Sequence, residues 1–316
     1  MPNFPMQLAL SLGTSLLAMA APASAQDQLK VVASFSILGD MAAQIGGDHI
    51  ELTTLVGPNG DAHVFEPSAA DARTVAEADV LLVNGLGFEG WLPRLVEAAE
   101  FKGTQVEAAA GITPRANTQE EDHDHGGDEH EHEHEGHDHG SNDPHAWQDL
   151  ANGVIYANNI AAGFAAADPD NAEVYHANAE AYVAQLQGLD ARTKSEIATI
   201  PQEQRRVVTS HDAFGYFQAA YGIEFVAPEG VSTESEATAA DVAAIIAQIR
   251  AEGINAVFVE NVTDTRLVDQ ISSEADVSVG GALFSDALSD GTGPAPTYLA
   301  MFEHNVEAIV SALKAD

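Results

Sequence analysis

Between Asp170 and Ile200 lies the stretch NAEVYHANAEAYVAQLQGLDARTKSEI, which has no proline and little glycine. Apolar residues recur in it at helical spacing, at Val174, Ala177, Ala181, Leu186 and Leu189. Asp168-Pro169-Asp170 supplies a helix start, with proline in the first turn. A helix of about 30 residues is about 45 Å long, so whatever this chain folds into must be built around a rod of that size.

On both sides of the rod, short β-branched runs alternate with alanine-rich helical patterns, which reads as βα units and parallel sheets. Before it, strands are expected at Lys30 to Ala33, Leu52 to Val56, Val80 to Val83 and Gln105 to Ala108, with helices at Leu38 to Ile45 and Ser68 to Ala76. After it, strands are expected at Arg206 to Thr209, Glu224 to Val226, Ala256 to Glu260 and Val277 to Val279. Helices at Thr238 to Ala251, Thr265 to Ser273 and Tyr298 to Leu313 fill the gaps. The 316 residues, 45% of them hydrophobic, suffice for two cores. The expected fold is therefore α/β, with two (β/α)-type lobes joined by one long rigid helix. The lobes span 26–168 and 201–316, and 169–200 joins them.

Residues 1–25 are set apart as a secretory leader. Leu8 to Ala21 is apolar, and Ala23-Ser24-Ala25 has the small-x-small pattern of a signal-peptidase site. The apolar run is shorter than the ~20 residues needed to span a bilayer. Export to the periplasm is the expectation.

Acidic residues outnumber basic ones 49 to 12, for a net charge of −37, which opposes nucleic acid and anionic lipid as partners and concentrates cations around the chain. There is no cysteine, so disulfides, zinc ribbons and cysteine nucleophiles are excluded, and any metal site must use nitrogen and oxygen.

Low-complexity sequence from Glu120 to Ser141 interrupts the first lobe and cannot bury a core. Between Glu120 and Asp143 there are eleven acids and no bases, leaving −26 for the rest of the chain. Threaded among them are His123, His125, His130, His132, His134, His137 and His139. Imidazoles and carboxylates on one tether offer several transient metal sites, weaker than a preformed one because chelation must order the segment.

Six histidines lie elsewhere. His63 follows a strand in GPNGDAHVFEPS, His145 opens a helical run in NDPHAWQD, and His211 follows a strand in VVTSHDAFGYF. Asp286 follows the last strand in GGALFSDALSD. These four occupy equivalent strand ends in the two lobes and can converge on the cleft between them. Three imidazoles and one carboxylate complete a tetrahedral Zn²⁺ site without sulfur and leave no position open for water, which favours binding over catalysis. His49, His176 and His304 fall on helix faces or in a turn and are read as structural or solvated.

The same stretches resemble the zinc-type cluster 9 metal-binding components of bacterial ABC importers. HVFEPSAAD, NDPHAWQD and HDAFGYFQAAYG resemble the motifs that carry the family's first three ligands. STESEATAADVAAII, LFSDALS and PTYLAMFEHNVEAI look like its remaining signatures, and the resemblance runs from Lys30 to Leu313. It implies ligands at His63, His145, His211 and Asp286. It also implies a site between two lobes joined by a long helix, an inner-membrane permease as partner, and a monomer that a periplasmic zinc metallochaperone could load. Two departures stand out: Ala62 replaces a proline common in relatives, and the second lobe lacks the disulfide some relatives carry.

Three other readings use the same residues. The scaffold could carry manganese or iron, whose sites favour more oxygen ligands. A zinc hydrolase would need an open metal position and a base, for which Glu66 or Glu260 could be nominated. A surface zinc buffer or adhesin would need no transporter.

Overall fold

The computed structural model describes residues 28–116, 142–235 and 237–314. The expected leader and the seven histidines from His123 to His139 lie outside the described residues.

The first lobe runs β1 (Leu29–Phe35), α1 (Ser36–Gly46), β2 (Ile50–Val56), α2 (Ala69–Ala76), β3 (Val80–Val83), α3 (Leu92–Ala99) and β4 (Thr104–Glu107). Its strands lie parallel in the order β2-β1-β3-β4. All four residues of β3, VLLV, are buried, as befits a central strand covered on both faces. A two-residue antiparallel pair, β5 (Arg115–Ala116) with β6 (Asn142–Asp143), joins the two ends of the chain that flank the acidic segment.

Two helices follow, α4 (Leu150–Ala167) and α5 (Ala172–Ile197), and then a second lobe. It contains β7 (Arg206–Val208), α6 (Gly215–Tyr221), β8 (Glu224–Val226), α7 (Ala239–Glu252), β9 (Ala256–Glu260), α8 (Arg266–Ala275), β10 (Ser278–Leu283) and α9 (Tyr298–Leu313). The sheet order β10-β9-β7-β8 repeats the first lobe: second strand, first, third, fourth. Both lobes therefore reverse direction between their first and third strands, where an open parallel sheet leaves a crevice at the carboxyl ends.

The rod is present but shorter than its sequence pattern. A 3-10 turn at Pro169–Asn171 precedes the 26 residues of α5, about 39 Å long. Its buried face is Tyr175, Ala179, Tyr182, Leu186, Leu189, Thr193 and Ile197. Of the residues the sequence singled out, Val174 is only partly buried and Ala177 and Ala181 are exposed. Alanine carries little packing volume, and the two tyrosines set the face instead. Nor is α5 a free strut. It packs along α4, against α1 of the first lobe and against α6 and α9 of the second. One apolar core runs from Ile37 through Trp147, Tyr156 and Leu186 to Phe217 and Phe302, with a smaller cluster of Val242, Ile245 and Ile249 beneath α7. A continuous apolar interface between lobes opposes wide hinge motion.

Candidate metal centre

Each predicted ligand sits in a loop at the carboxyl end of a strand, and short hydrogen bonds fix each loop. The His63 backbone N–H donates to Asp61 Oδ1 at 2.9 Å. The other carboxylate oxygen of Asp61 accepts from Thr233 of the second lobe at 2.6 Å. Five residues on, Ser68 and Asp71 form a capping box that starts α2, worth about 1 kcal/mol to the helix and hence to the end of the His63 loop.

His145 repeats the device. Its backbone N–H donates to Asp143 Oδ1 at 2.9 Å, and the same oxygen lies 2.8 Å from its ring Nδ1. The Asn84 side chain, just beyond β3, donates to the Pro144 carbonyl at 3.0 Å, and Asn84 itself accepts from the Tyr156 hydroxyl. Gly215 makes room for this arrangement, since a Cβ there would stand 2.5 Å from Asp143 Oδ2.

His211 follows β7. Glu260 Oε1, at the end of β9, accepts from the Ser210 and His211 backbone N–H groups at 2.8 and 2.9 Å. Its Oε2 stands 2.7 Å from His211 Nδ1. With carboxylates at the Nδ1 side of His145 and His211, the Nε2 atoms of both rings point inward, where each ring in its neutral form would offer a lone pair to a cation.

Asp286 leaves β10, yet its loop is also gripped from the first lobe. Trp147 Nε1 and Gln148 Nε2 donate to the Ser285 carbonyl at 2.9 and 2.8 Å. Ser36 accepts from Leu288 N at 2.9 Å, and Asn59 N donates to the Leu288 carbonyl at 2.8 Å. Asp286 belongs to the second lobe by position, yet these bonds also tie its loop to the first, so the loops of three of the four residues have anchors there.

The four residues meet in the interior. His145, His211 and Asp286 are fully buried and His63 is 7% exposed. His63 Nε2 lies 3.3 Å from His145 Nε2 and 3.3 Å from Asp286 Oδ2. His211 Nε2 lies 3.1 Å from Asp286 Oδ2, and His145 Nε2 lies 3.5 Å from Oδ1. Four donors about 2.0 Å from a central ion are about 3.3 Å from one another in a regular tetrahedron; these four separations are close to that, in a set whose atoms all lie within 4.8 Å of one another.

Electrostatics fits a cation as well. Burial alone would raise the Asp286 carboxyl, but the His211 and His145 rings overcome it and hold Asp286 well below the carboxylate range. Burial also works against a charge on His211, yet Glu260 and Asp286 outweigh it and raise that ring well above its ordinary value. Burial is the dominant influence on His63, which is pushed down and stays neutral. Both Asp286 oxygens and His211 Nε2 are buried without a well-formed hydrogen bond. A cation among them would supply the missing partner. A cavity of about 60 Å³ leads to His63 past Phe88, Pro144 and Ser232. Asn142, where the chain re-emerges from the acidic segment, lines the same opening.

The remaining predicted residues lie apart. His49 stacks edge-on to Tyr175 with ring centres 6.3 Å apart, His176 is exposed, and His304 Nε2 is 2.9 Å from the Ala282 carbonyl. Glu66 is exposed on a groove lined by α2 and α3 residues, and Glu260 lies 2.7 Å from His211 Nδ1. Asp143 was not singled out beforehand. Asp61-Ala62-His63 and Asp143-Pro144-His145 share one Asp-x-His spacing, in which the aspartate accepts the histidine N–H two residues on, and that repeat was the available signal.

Known proteins resemble this chain over most of its length. Over 287 residues the chain is 35% identical to the manganese-binding lipoprotein MntA of Halalkalibacterium halodurans, covering 90% of this chain and 88% of that protein. Over 293 residues it is 32% identical to the iron ABC transporter substrate-binding lipoprotein MtsA of Streptococcus pyogenes serotype M1, covering 91% and 89%. The solved periplasmic zinc-binding protein TroA of Treponema pallidum superposes with a TM-score of 0.80 at 28% identity, covering 91% of this chain and 99% of that one. These relatives are transport components rather than enzymes, and their names divide among three metals. Residues 31–312 match the family described as zinc-uptake complex component A, periplasmic. The chain therefore belongs to the ZnuA family, the periplasmic metal-binding components of ABC importers.

Proposed function

We propose that this member of the family captures Zn²⁺ with His63, His145, His211 and Asp286 and delivers it to its permease. The observation that carries the reading is the donor set: three inward-facing imidazole nitrogens and one carboxylate, all within 4.8 Å of one another. Imidazole-rich tetrahedral sites suit zinc, whereas manganese and ferrous iron favour more oxygen ligands in larger coordination shells. The manganese and iron named for two relatives make those ions the competing reading. Titration of metal-free protein with zinc in the presence of excess manganese or ferrous iron decides between them: zinc should displace either ion, and preferential retention of manganese would refute the assignment.

His123, His125, His130, His132, His134, His137 and His139 are proposed to gather zinc, or accept it from a metallochaperone, beside the opening at Asn142. Export with cleavage near Ala25, the lobe boundaries stated above and a monomeric state belong to the same proposal. The two relatives are lipoproteins by name, whereas this chain has no cysteine to carry a thioether-linked lipid. Among the described residues no helix is long and apolar enough to cross a membrane.

A further inference from the structure

Away from the metal centre, helices α2 and α3 flank a groove of about 700 Å³ on the first lobe. Its apolar floor is Trp91 and Leu95, 4% and 3% exposed, with the half-buried Phe65 ring edge to face on Trp91 at 5.0 Å. Arg73 and Arg94 line it and are exposed.

Those two arginines differ from the others. The chain has eight, in a protein with 49 acidic residues. Arg192, Arg206 and Arg266 pair with carboxylates, Arg205 and Arg250 donate to backbone carbonyls, and Arg115 lies over the Tyr216 ring. Among the described residues Arg73 and Arg94 alone have no such side-chain partner, and both face this groove. Glu66 is the one acid in the lining, so the groove keeps a positive balance on a strongly negative molecule. Unpaired guanidiniums beside an aromatic wall are suited to carboxylates held next to apolar groups. Val64, next in sequence to the half-buried Phe65, is 48% exposed and supplies apolar surface beside the groove.

We infer that this groove is a docking site for a partner protein's acidic, apolar peptide segment, with carboxylates on Arg73 and Arg94 and an apolar side chain against Trp91. Its position matters because Trp91 Nε1 donates to the Ala62 carbonyl at 2.8 Å, and Ala62 immediately precedes His63. A segment seated there touches the residue that pins the His63 loop.

The chain has two tryptophans, which makes a direct readout available. In protein labelled with ¹⁵N at tryptophan, the peptide acetyl-Glu-Leu-Glu-Leu-Glu-Leu-Glu-amide should shift the Trp91 indole N–H resonance saturably and leave Trp147 in place. The double variant Arg73→Glu/Arg94→Glu should weaken that binding by about tenfold or more, since rim charges that complement a ligand are replaced by repelling ones. Its unchanged Trp147 resonance would report an intact fold. No saturable Trp91 shift, an equal affinity in the double variant, or an equal response to the same peptide with lysine in place of glutamate would overturn the inference. So would a Trp91 response to phosphatidylglycerol vesicles but not to the peptide, which would make the occupant a lipid surface.

Discussion

The Trp147 indole N–H donates to the Ser285 carbonyl at 2.9 Å, joining the loop that carries His145 to the one that carries Asp286. Trp147 and Ser285 are both fully buried, and Phe35 and Phe88 pack on the indole with ring centres 5.0 and 4.8 Å away. A ligand of the second lobe thus takes its position from an aromatic residue of the first. Trp147→Phe keeps most of the ring volume and removes the donor. Gln148 still serves the same carbonyl, so the expected stability loss is about 1–2 kcal/mol, from one lost buried hydrogen bond and a smaller ring. Metal affinity should fall with it. Chemical denaturation and a chelator competition test both, and unchanged affinity would show that Asp286 does not depend on this link.

Gly215→Ala probes the support of His145 without touching a ligand. The new methyl would meet Asp143 Oδ2 at 2.5 Å, and the carboxylate must turn away from His145 Nδ1 to relieve it. Loss of such an outer partner lowers metal affinity by about 10–100-fold in comparable sites. Alanine favours helix formation at this position, so the fold should survive. Competition with a chromophoric chelator measures the change, and wild-type affinity would mean that Asp143 does not orient His145.

Much of this organisation was legible in the sequence. The strands at Val80 to Val83, Glu224 to Val226 and Ala256 to Glu260 and the helix Tyr298–Leu313 lie where periodicity put them, because their apolar residues pack directly on a sheet. The helical run that His145 opens has its extent, α4, hidden in the sequence because LANGVIYANNIAAGFAAA combines glycine and alanine with little amphipathic contrast, as expected for a helix buried against several neighbours. The seven residues of α6 give too few turns to show a period. The grip of the first lobe on the Asp286 loop was invisible, since bonds from Trp147, Gln148 and Ser36 to backbone groups over a hundred residues away leave no local pattern.

Protons should compete with the metal, and the structure sets where. In the metal-free protein Glu260 and Asp286 raise His211 well above its ordinary value, so this ring carries a proton at neutral pH. Binding requires its Nε2 lone pair, so about one proton should leave per metal bound. Affinity should then fall about tenfold for each unit that pH drops while that proton is held. The decline therefore begins above the value of about 6.5 that an ordinary histidine would give. His63, lowered by burial, is already neutral and adds a second proton only under more acidic conditions. Calorimetry in buffers of different protonation enthalpy counts the released protons; none at pH 7 would contradict this charge state.

Deleting residues 120–140 should reduce the total zinc bound per molecule and spare one tight site. The seven histidines are removed, whereas the four buried donors and the β5–β6 pair that flanks the segment are retained. Equilibrium dialysis counts the sites. Loss of the tight site would mean that the segment contributes one of its donors.

X-ray absorption at the zinc edge, on that shortened protein loaded with one equivalent of zinc, addresses the central claim most directly. The account predicts a shell of four nitrogen and oxygen atoms at about 2.0 Å, with outer scattering from three imidazoles. In His211→Ala the imidazole count should drop to two and the affinity by orders of magnitude. A five- or six-coordinate zinc, or three imidazoles persisting in His211→Ala, would contradict it.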